Sequence, residues 1–451
     1  MKSFDIVIIG GGAAGVAAAS SALNANPNKT VAIVKKEKIT LVPCGIPYII
    51  NKLSSVEDDI MSDAGLRKQG VEFVHAEVVG RDGKTLKLDS GDELAFDKLI
   101  IATGSIPVKL SVEGANLEGI YVVNKDMEYL RGLREYAKKS NKIVVIGGGY
   151  VGVEFSDELL ADGRQVTIVE RLPHLLPMSM DAEFSNMLEA EMKSRGASLM
   201  LGASVSGFKG NGKVHKVVLQ DGREIETDMV IISIGARPEV ELAKKMGIKF
   251  DERRGILIDE YMRTSEADIF AAGDCAVKRN CYTGEDWPIM LASTACAQGR
   301  LAGSNLYSIK VVKTFSGVLG TFSTKIGNMA FGASGLNERQ VQDLGIDYVV
   351  GIAEAPDRHP GKFKDTSKLY VKLIYSRYSH VLLGGQIKGG DSVGEMVNTM
   401  AVMIQNKMTD MEIDALQIGT HPLLTSSPAV YPIIKATADA IIKWYKHAHK
   451  V

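Results

Sequence analysis

Cys44 is the residue best placed for covalent chemistry. It sits in "TLVPCGIPYII", Thr40–Ile50, among apolar neighbours and with no second cysteine close by. A lone cysteine in such a setting is ordinarily a packing residue. As a thiolate it is a nucleophile and a redox centre. Just upstream lies a glycine-rich turn of the kind that receives a nucleotide phosphate, with Gly10, Gly12 and Gly15 in G-x-G-x-x-G spacing. The other cysteines, Cys275, Cys281 and Cys296, make no CxxC pair, and no Cys/His group has ligand spacing. Neither a disulfide framework nor a zinc site is expected.

The glycine turn has an echo. "FDIVIIGGGAAGVAAAS", from Phe4, recurs as "NKIVVIGGGYVGVEFS", from Asn141, with glycines at 147, 149 and 152. Each copy is a β-branched strand, a G-x-G-x-x-G turn and the start of a helix. The first glycine (Gly10, Gly147) permits the tight turn. The second (Gly12, Gly149) lets a pyrophosphate approach the backbone, and the third (Gly15, Gly152) lets helix and strand pack closely. Two copies in strand–turn–helix context predict two dinucleotide sites. Each unit should continue to a strand ending in an acid that holds a ribose. "QVTIVERLP" does so at Glu170, which suits the ribose diol of NADH and repels a 2′-phosphate; Arg171 partly offsets that repulsion. "TVAIVKKEK" instead offers Lys35, with Glu37 two residues on. Either Glu37 serves from a shifted loop or the contact is lost.

Further strands are expected at Lys98–Pro107 and Met229–Glu239, each stopping at a glycine near a proline. "MRTSEADIFAAGDCA", Met262–Ala276, is another landmark. From about Thr321 the pattern alternates like antiparallel strands: "YVVGIAEAP", "LYVKLIYS" and "HVLLGGQIKG". A helix follows, with Val393, Met396, Val397, Met400, Met403 and Ile404 on one side as core filler. "TDME", Thr409–Glu412, fits a capping box. The 451 residues, 45% hydrophobic and 24% charged, suit two or three domains. With 53 Lys+Arg against 54 Asp+Glu, no nucleic-acid or anionic-membrane partner is expected. The basic tail "KWYKHAHKV" reads as a solvated helix end. No cleavable leader and no apolar run of ~18 residues is present, so a cytoplasmic protein is expected.

Together these residues resemble the flavin-dependent pyridine nucleotide–disulfide oxidoreductases over essentially the whole chain. "GGGAAG", "ATG" at Ala102–Gly104 and "FAAGDC" at Phe270–Cys275 look like that family's FAD motifs, and "GGGYVGVEF" looks like its nicotinamide-nucleotide motif. The resemblance implies an α/β fold with two Rossmann-like dinucleotide-binding domains, for FAD and NAD, plus a C-terminal α+β dimerisation domain. The implied layout is FAD domain 1–112 and 249–322, NAD(P)H domain 113–248 and dimerisation domain 323–451. It adds Ala14, Val78, Thr103, Gly104, Gly235 and Asp274 to the cofactor-binding residues, with Asp274 on the flavin ribityl chain. The dithiol members carry CxxxxC, but Ile49 stands five after Cys44. "PCGIPY" is similar to the single-cysteine branch: coenzyme A disulfide reductases, NADH oxidases and peroxidases, and NAD(P)H persulfide or polysulfide reductases.

In that branch NAD(P)H reduces the flavin from one face, and Cys44 would work on the other. A helix is expected just past Cys44, in "GIPYIINKL", its dipole favouring thiolate. Cys44 would then pair with coenzyme A or another small thiol, take sulfane sulfur, or cycle through a sulfenic acid. The peroxidase and water-forming oxidase members carry a histidine in the first glycine loop; here Ala13 and Ala14 stand there, which favours sulfur substrates. A peroxide-forming NADH oxidase and a rubredoxin or ferredoxin reductase are the alternatives. His421 and Tyr431, in "THPLLTSSPAVYP", are implied proton donors, His421 from the partner subunit of a homodimer. Arg67 and Lys68 lie where family members bind the coenzyme A nucleotide; a solvated helix face is the competing reading.

Overall fold

Runs such as "DIVII", "VAIVK" and "KIVVI" are apolar on both faces, the pattern of strands covered on both sides rather than one. The computed structural model, which describes residues 1–312 and 317–448, has them so. It divides into two compact units. The first comprises Met1–Lys109, Val122–Lys138 and Ile234–Val318. Its sheet runs Glu72–His75, Val31–Lys35, Lys2–Ile9, Glu93–Ile101, Thr85–Leu88, Val78–Asp82, with Ile269–Ala271 also on Glu93–Ile101. The strands nearest the glycine loop are parallel: Ile9 pairs with Val34 and with Ile101, and Ile101 with Ala271. Alternate side chains feed two cores. Ile6, Ile8, Ile33 and Phe270 pack on one face, and Val7, Ile9, Leu99 and Ile269 on the other.

Helix Ala13–Ala25 lies against helix Ala292–Ser304 on the first face. Both are rich in small residues, and the backbones touch. A Cβ on Gly299 would lie 2.3 Å from the Ala14 oxygen, and one on Gly303 2.3 Å from the Ala18 oxygen.

The second unit comprises Leu110–Tyr121, Lys139–Ser233 and Leu319–Val451. Strands Ser198–Leu201, Gln165–Glu170, Lys142–Ile146 and Met229–Ile232 lie parallel in that order. An antiparallel sheet follows in the order Phe322–Ile326, Met329–Gly335, Leu382–Gly389, Lys368–Ser376, Tyr348–Pro356. The three alternating segments are its last three strands. The expected one-sided face of helix Val393–Gln405 is buried in full, and Thr409 with Glu412 forms the capping box. The hairpin strands Val205–Asn211 and Lys213–Leu219 were not anticipated from the sequence. The basic tail extends helix Pro432–Ala448, where Trp444 Nε1 donates to the Arg377 oxygen at 3.0 Å; its last three residues lie outside the described ones. Among the described residues no helix is long and apolar enough to cross a membrane.

This unit buries a cation. Lys372 is 2% exposed, and its Nζ lies 2.8 Å from Asp181, 2.5 Å from Glu183 and 2.6 Å from Glu338. The Gln386 amide and the Tyr348 hydroxyl donate to Asp181 and Glu338, spreading the excess negative charge. Burial opposes the ammonium, but the carboxylates outweigh it and raise its pKa. Glu338 is lowered: burial opposes its charge, and Lys372 and Tyr348 outweigh that.

A raised lysine stabilises fully below its unfolded pKa of about 10.4 and stops doing so as pH rises through its folded value. A lowered glutamate stabilises above about pH 4.3 and stops as pH falls through its folded value. The cluster therefore acts across the neutral range. Lys372→Met, which leaves three carboxylates facing one another, should cost roughly 3–5 kcal/mol at pH 7, read as a lower denaturation midpoint. An unchanged midpoint contradicts this.

Candidate functional site

The two glycine loops are built alike. After strand Lys2–Ile9 the chain turns at Gly10 with φ +111°, and a Cβ there would lie 2.1 Å from the Ala102 oxygen. A Cβ on Gly15 would lie 2.0 Å from the Gly10 oxygen. At Gly147, φ is +109° and the Ser233 oxygen would be 2.4 Å away; at Gly152 the Gly147 oxygen would be 2.0 Å away. Gly12 and Gly149 occupy the N-cap positions of helices Ala13–Ala25 and Tyr150–Ala161, with no side-chain cap and open space where a Cβ would point. Ala14, in the first turn of its helix, is buried. Each helix start thus presents bare N–H groups, and both loops fit a dinucleotide pyrophosphate.

The loops differ in charge beneath them. Glu170, 8% exposed, accepts from Gly148 N at 2.6 Å and Leu172 N at 2.8 Å. Lys35 takes the matching place in the first unit: its Cδ would meet a Cβ on Gly11 at 2.7 Å, as Glu170 Cβ and Cγ would meet one on Gly148 at 3.1 Å. Its ammonium, 1% exposed, donates to Asp63 Oδ2 at 2.7 Å and Thr40 Oγ1 at 2.9 Å. A carboxylate therefore does reach the ammonium beside this loop, and it comes from Asp63. Glu37 is exposed.

Thr40 begins the cysteine segment, which is clasped by residues 59–61. Met61 N donates to the Thr40 oxygen (2.8 Å), Val42 N donates to the Asp59 oxygen (2.9 Å), and Leu41 bridges Ile60. Ile46, Ile49 and Val56 are buried beneath, while Cys44 is exposed. The helix expected after Cys44 is only a four-residue 3₁₀ turn, Ile46–Ile49. Pro47 in its first turn has no N–H to give. So short an element carries little dipole, and the expected helix-end effect on the thiol lacks its helix.

The two glycine–proline segments pair with each other. Ser105–Pro107 runs antiparallel to Ala236–Pro238, Thr103 Oγ1 donates to the Glu239 oxygen at 3.1 Å, and Val108 N donates to the Gly235 oxygen at 3.0 Å. Gly104 and Gly235 both have positive φ, +77° and +102°. Asp274, half-buried, accepts from Ser105 Oγ at 3.0 Å. Beside it the buried Lys278 donates to the Gly273 and Ala276 oxygens, and burial pushes its pKa down. Gln298 is wholly buried; its oxygen accepts from Gly273 N at 3.0 Å, and its Nε2 has no partner among the described residues. Sequence reasoning missed Asp63, Lys278 and Gln298; only the odd charge at Lys35 signalled one of them. Cys275 is fully buried, and burial raises its pKa, as suits an inert thiol. Val78, 7% exposed, opens strand Val78–Asp82.

Cys44, the first loop, the Thr103 and Asp274 segments and Arg67 share the first unit. Arg67 is half-exposed, 3.8 Å from Asp63 and 4.5 Å over the Phe73 ring. His421 and Tyr431 belong to the second unit. His421 is exposed, and Leu423 N donates to its Nδ1 at 3.2 Å, which leaves the ring proton on Nε2. Tyr431 is half-buried, and burial raises its pKa.

Comparison with known proteins agrees with this geometry. The pyridine nucleotide-disulphide oxidoreductase family pattern matches residues 4–299, and that family's dimerisation domain matches residues 321–430. A Pyrococcus horikoshii protein named NAD(P)H coenzyme A polysulfide/persulfide reductase is 33% identical over 90% of this chain and 91% of its own. A Methanocaldococcus jannaschii protein named NADH oxidase is 31% identical over 97% and 98%. The solved structure of a NAD-dependent persulfide reductase from A. fulgidus superposes with TM-score 0.89 and 29% identity, covering 99% of this chain and 84% of that one. The family's cofactors are FAD and NAD(P)H, the two dinucleotides its glycine loops hold. By sequence and by fold, the chain belongs to the pyridine nucleotide-disulphide oxidoreductase family.

Proposed function

We propose that the chain is an FAD-dependent NAD(P)H reductase of coenzyme A disulfides, persulfides or polysulfides, with Cys44 as its redox sulfur. The observation that carries this is Cys44 itself: exposed, clasped on a segment whose Thr40 lies beside Gly11 of the first glycine loop, and with the fully buried Ile49 where a dithiol enzyme has its second cysteine. The names of the Pyrococcus and A. fulgidus relatives support it. Bound FAD, reduced by NAD(P)H, would supply an electron pair. Gly10, Gly12, Ala14 and Gly15 hold its pyrophosphate, Lys35 with Asp63 meets its ribose, and Thr103, Gly104 and Asp274 line the rest. Gly147, Gly149, Gly152, Glu170 and Gly235 serve the nicotinamide nucleotide.

Cys44 thiolate attacks a substrate sulfur. A Cys44–sulfur bond forms as the substrate S–S bond breaks, and the leaving thiolate takes a proton. His421, with Nε2 protonated, and Tyr431 are the candidate donors, brought by the partner subunit of a homodimer. Arg67 offers a guanidinium for coenzyme A phosphates. The FAD domain is divided, 1–112 and 249–322, around the NAD domain, with 323–451 for dimerisation. A second reading, a peroxide-forming NADH oxidase, draws on the exposure of Cys44 and on the Methanocaldococcus relative. The histidine-free loop at Ala13 and Ala14 weighs against it.

Cys44→Ser should retain FAD and lose at least about 100-fold in turnover of sulfur substrates; equal turnover ends the proposal, and loss of sulfur but not oxygen turnover separates the two readings. Asp63→Asn removes the carboxylate paired with Lys35 and should weaken FAD binding about tenfold, measured by reconstituting the apoprotein; unchanged affinity contradicts the ribose assignment. Glu170→Ala should cut the NADH over NADPH ratio of kcat/KM by about tenfold; an unchanged ratio contradicts that role.

A further inference from the structure

Asp59 lies at the end of the 3₁₀ turn Val56–Asp59 and is only 4% exposed. Its Oδ1 would be 1.8 Å from a Cβ on Gly45, so it presses on the backbone next to Cys44. Chain geometry puts that oxygen within about 7 Å of the Cys44 Cα. Its Oδ2 is buried with no hydrogen-bond partner among the described residues. The clasp fixes this approach, because the Asp59 oxygen is itself the acceptor for Val42 N.

We propose that Asp59 is a positioning residue that sets the charge of Cys44: its carboxyl and the Cys44 thiol ionise against each other across Gly45. The inference rests on the reading of Cys44 as the redox sulfur. Two anions on neighbouring turns, with the Asp59 carboxyl buried, disfavour each other, so an ionised Asp59 holds Cys44 as the thiol and a neutral one releases it to thiolate. The other charged groups of this stretch have contacts of their own. Glu57 faces Arg131, Asp58 accepts from Ser55 N, Arg134 donates to the Leu53 oxygen, and Lys52 lies over the Tyr48 ring. Burial alone raises the Asp59 pKa, to about 6. As pH falls through that value Asp59 becomes neutral and the thiol ionises more readily; above it the carboxylate pushes the thiol pKa up.

The test is the rate of Cys44 alkylation by iodoacetamide between about pH 5 and 9, followed by peptide mass spectrometry on the parent holoenzyme and on Asp59→Asn. The parent should depart from a one-proton curve, with an inflection near the Asp59 titration. Asp59→Asn should follow a one-proton curve with its midpoint lower by about one unit, roughly tenfold faster alkylation at neutral pH. A one-proton curve in the parent, or superimposed profiles, overturns the proposal. The parent curve decides even if the variant does not fold. Alkylation needs no turnover, so a Cys44→Ser enzyme that still reduces sulfur substrates would sink the proposed function and leave this result standing.

Discussion

At four glycines of the two nucleotide loops a Cβ has no room, and the rest of the architecture depends on that constraint. At Gly10 and Gly147 a carbonyl from the neighbouring strand's end lies where the side chain would be, and at Gly15 and Gly152 the loop's own first carbonyl does. Helix and strand are thereby drawn so close that the helix start opens at the strand end, unobstructed by any capping side chain. A charged side chain lies under each of those openings. Under one of them Glu170 bonds the loop directly; under the other Lys35 reaches Asp63 and Thr40.

The Lys35–Asp63 pair does more than restore a carboxylate. It ties the end of a core strand to the segment that also clasps Thr40, Leu41 and Val42, the residues that lead to Cys44. Cofactor loop and cysteine are therefore coupled through a buried ion pair and two backbone hydrogen bonds, without a long helix. That explains how an exposed sulfur, on the segment that follows strand Val31–Lys35, can be held in register with a loop that follows strand Lys2–Ile9. A buried pair of this kind contributes more to geometry than to net stability, since desolvation offsets most of its attraction.

Much of this was legible in the residues. Spacing alone exposes both glycine loops, because close backbone approach admits no other residue type. Period-two alternation marks the C-terminal strands, and the stripe of Val393, Met396, Val397, Met400, Met403 and Ile404 marks a helix with one buried side. What stayed hidden was non-local or contrary to local propensity. Asp63 is 28 positions from Lys35, and Ser105–Pro107 meets Ala236–Pro238 only through the fold. Lys372 reads as an ordinary polar residue in a strand, yet it is buried among three acids. The apolar "GIPYIINKL" suggests a helix, but Pro47 and the clasp leave it a single 3₁₀ turn.

The central claim is that a lone sulfur carries the substrate covalently. The direct measurement is intact mass of the oxidised holoenzyme after anaerobic incubation with coenzyme A disulfide or a coenzyme A persulfide, with no NAD(P)H, followed by peptide mapping. The account predicts one coenzyme A moiety or one added sulfur atom on Cys44, discharged when NADH is supplied. An unmodified Cys44 in an enzyme that turns these substrates over would contradict it.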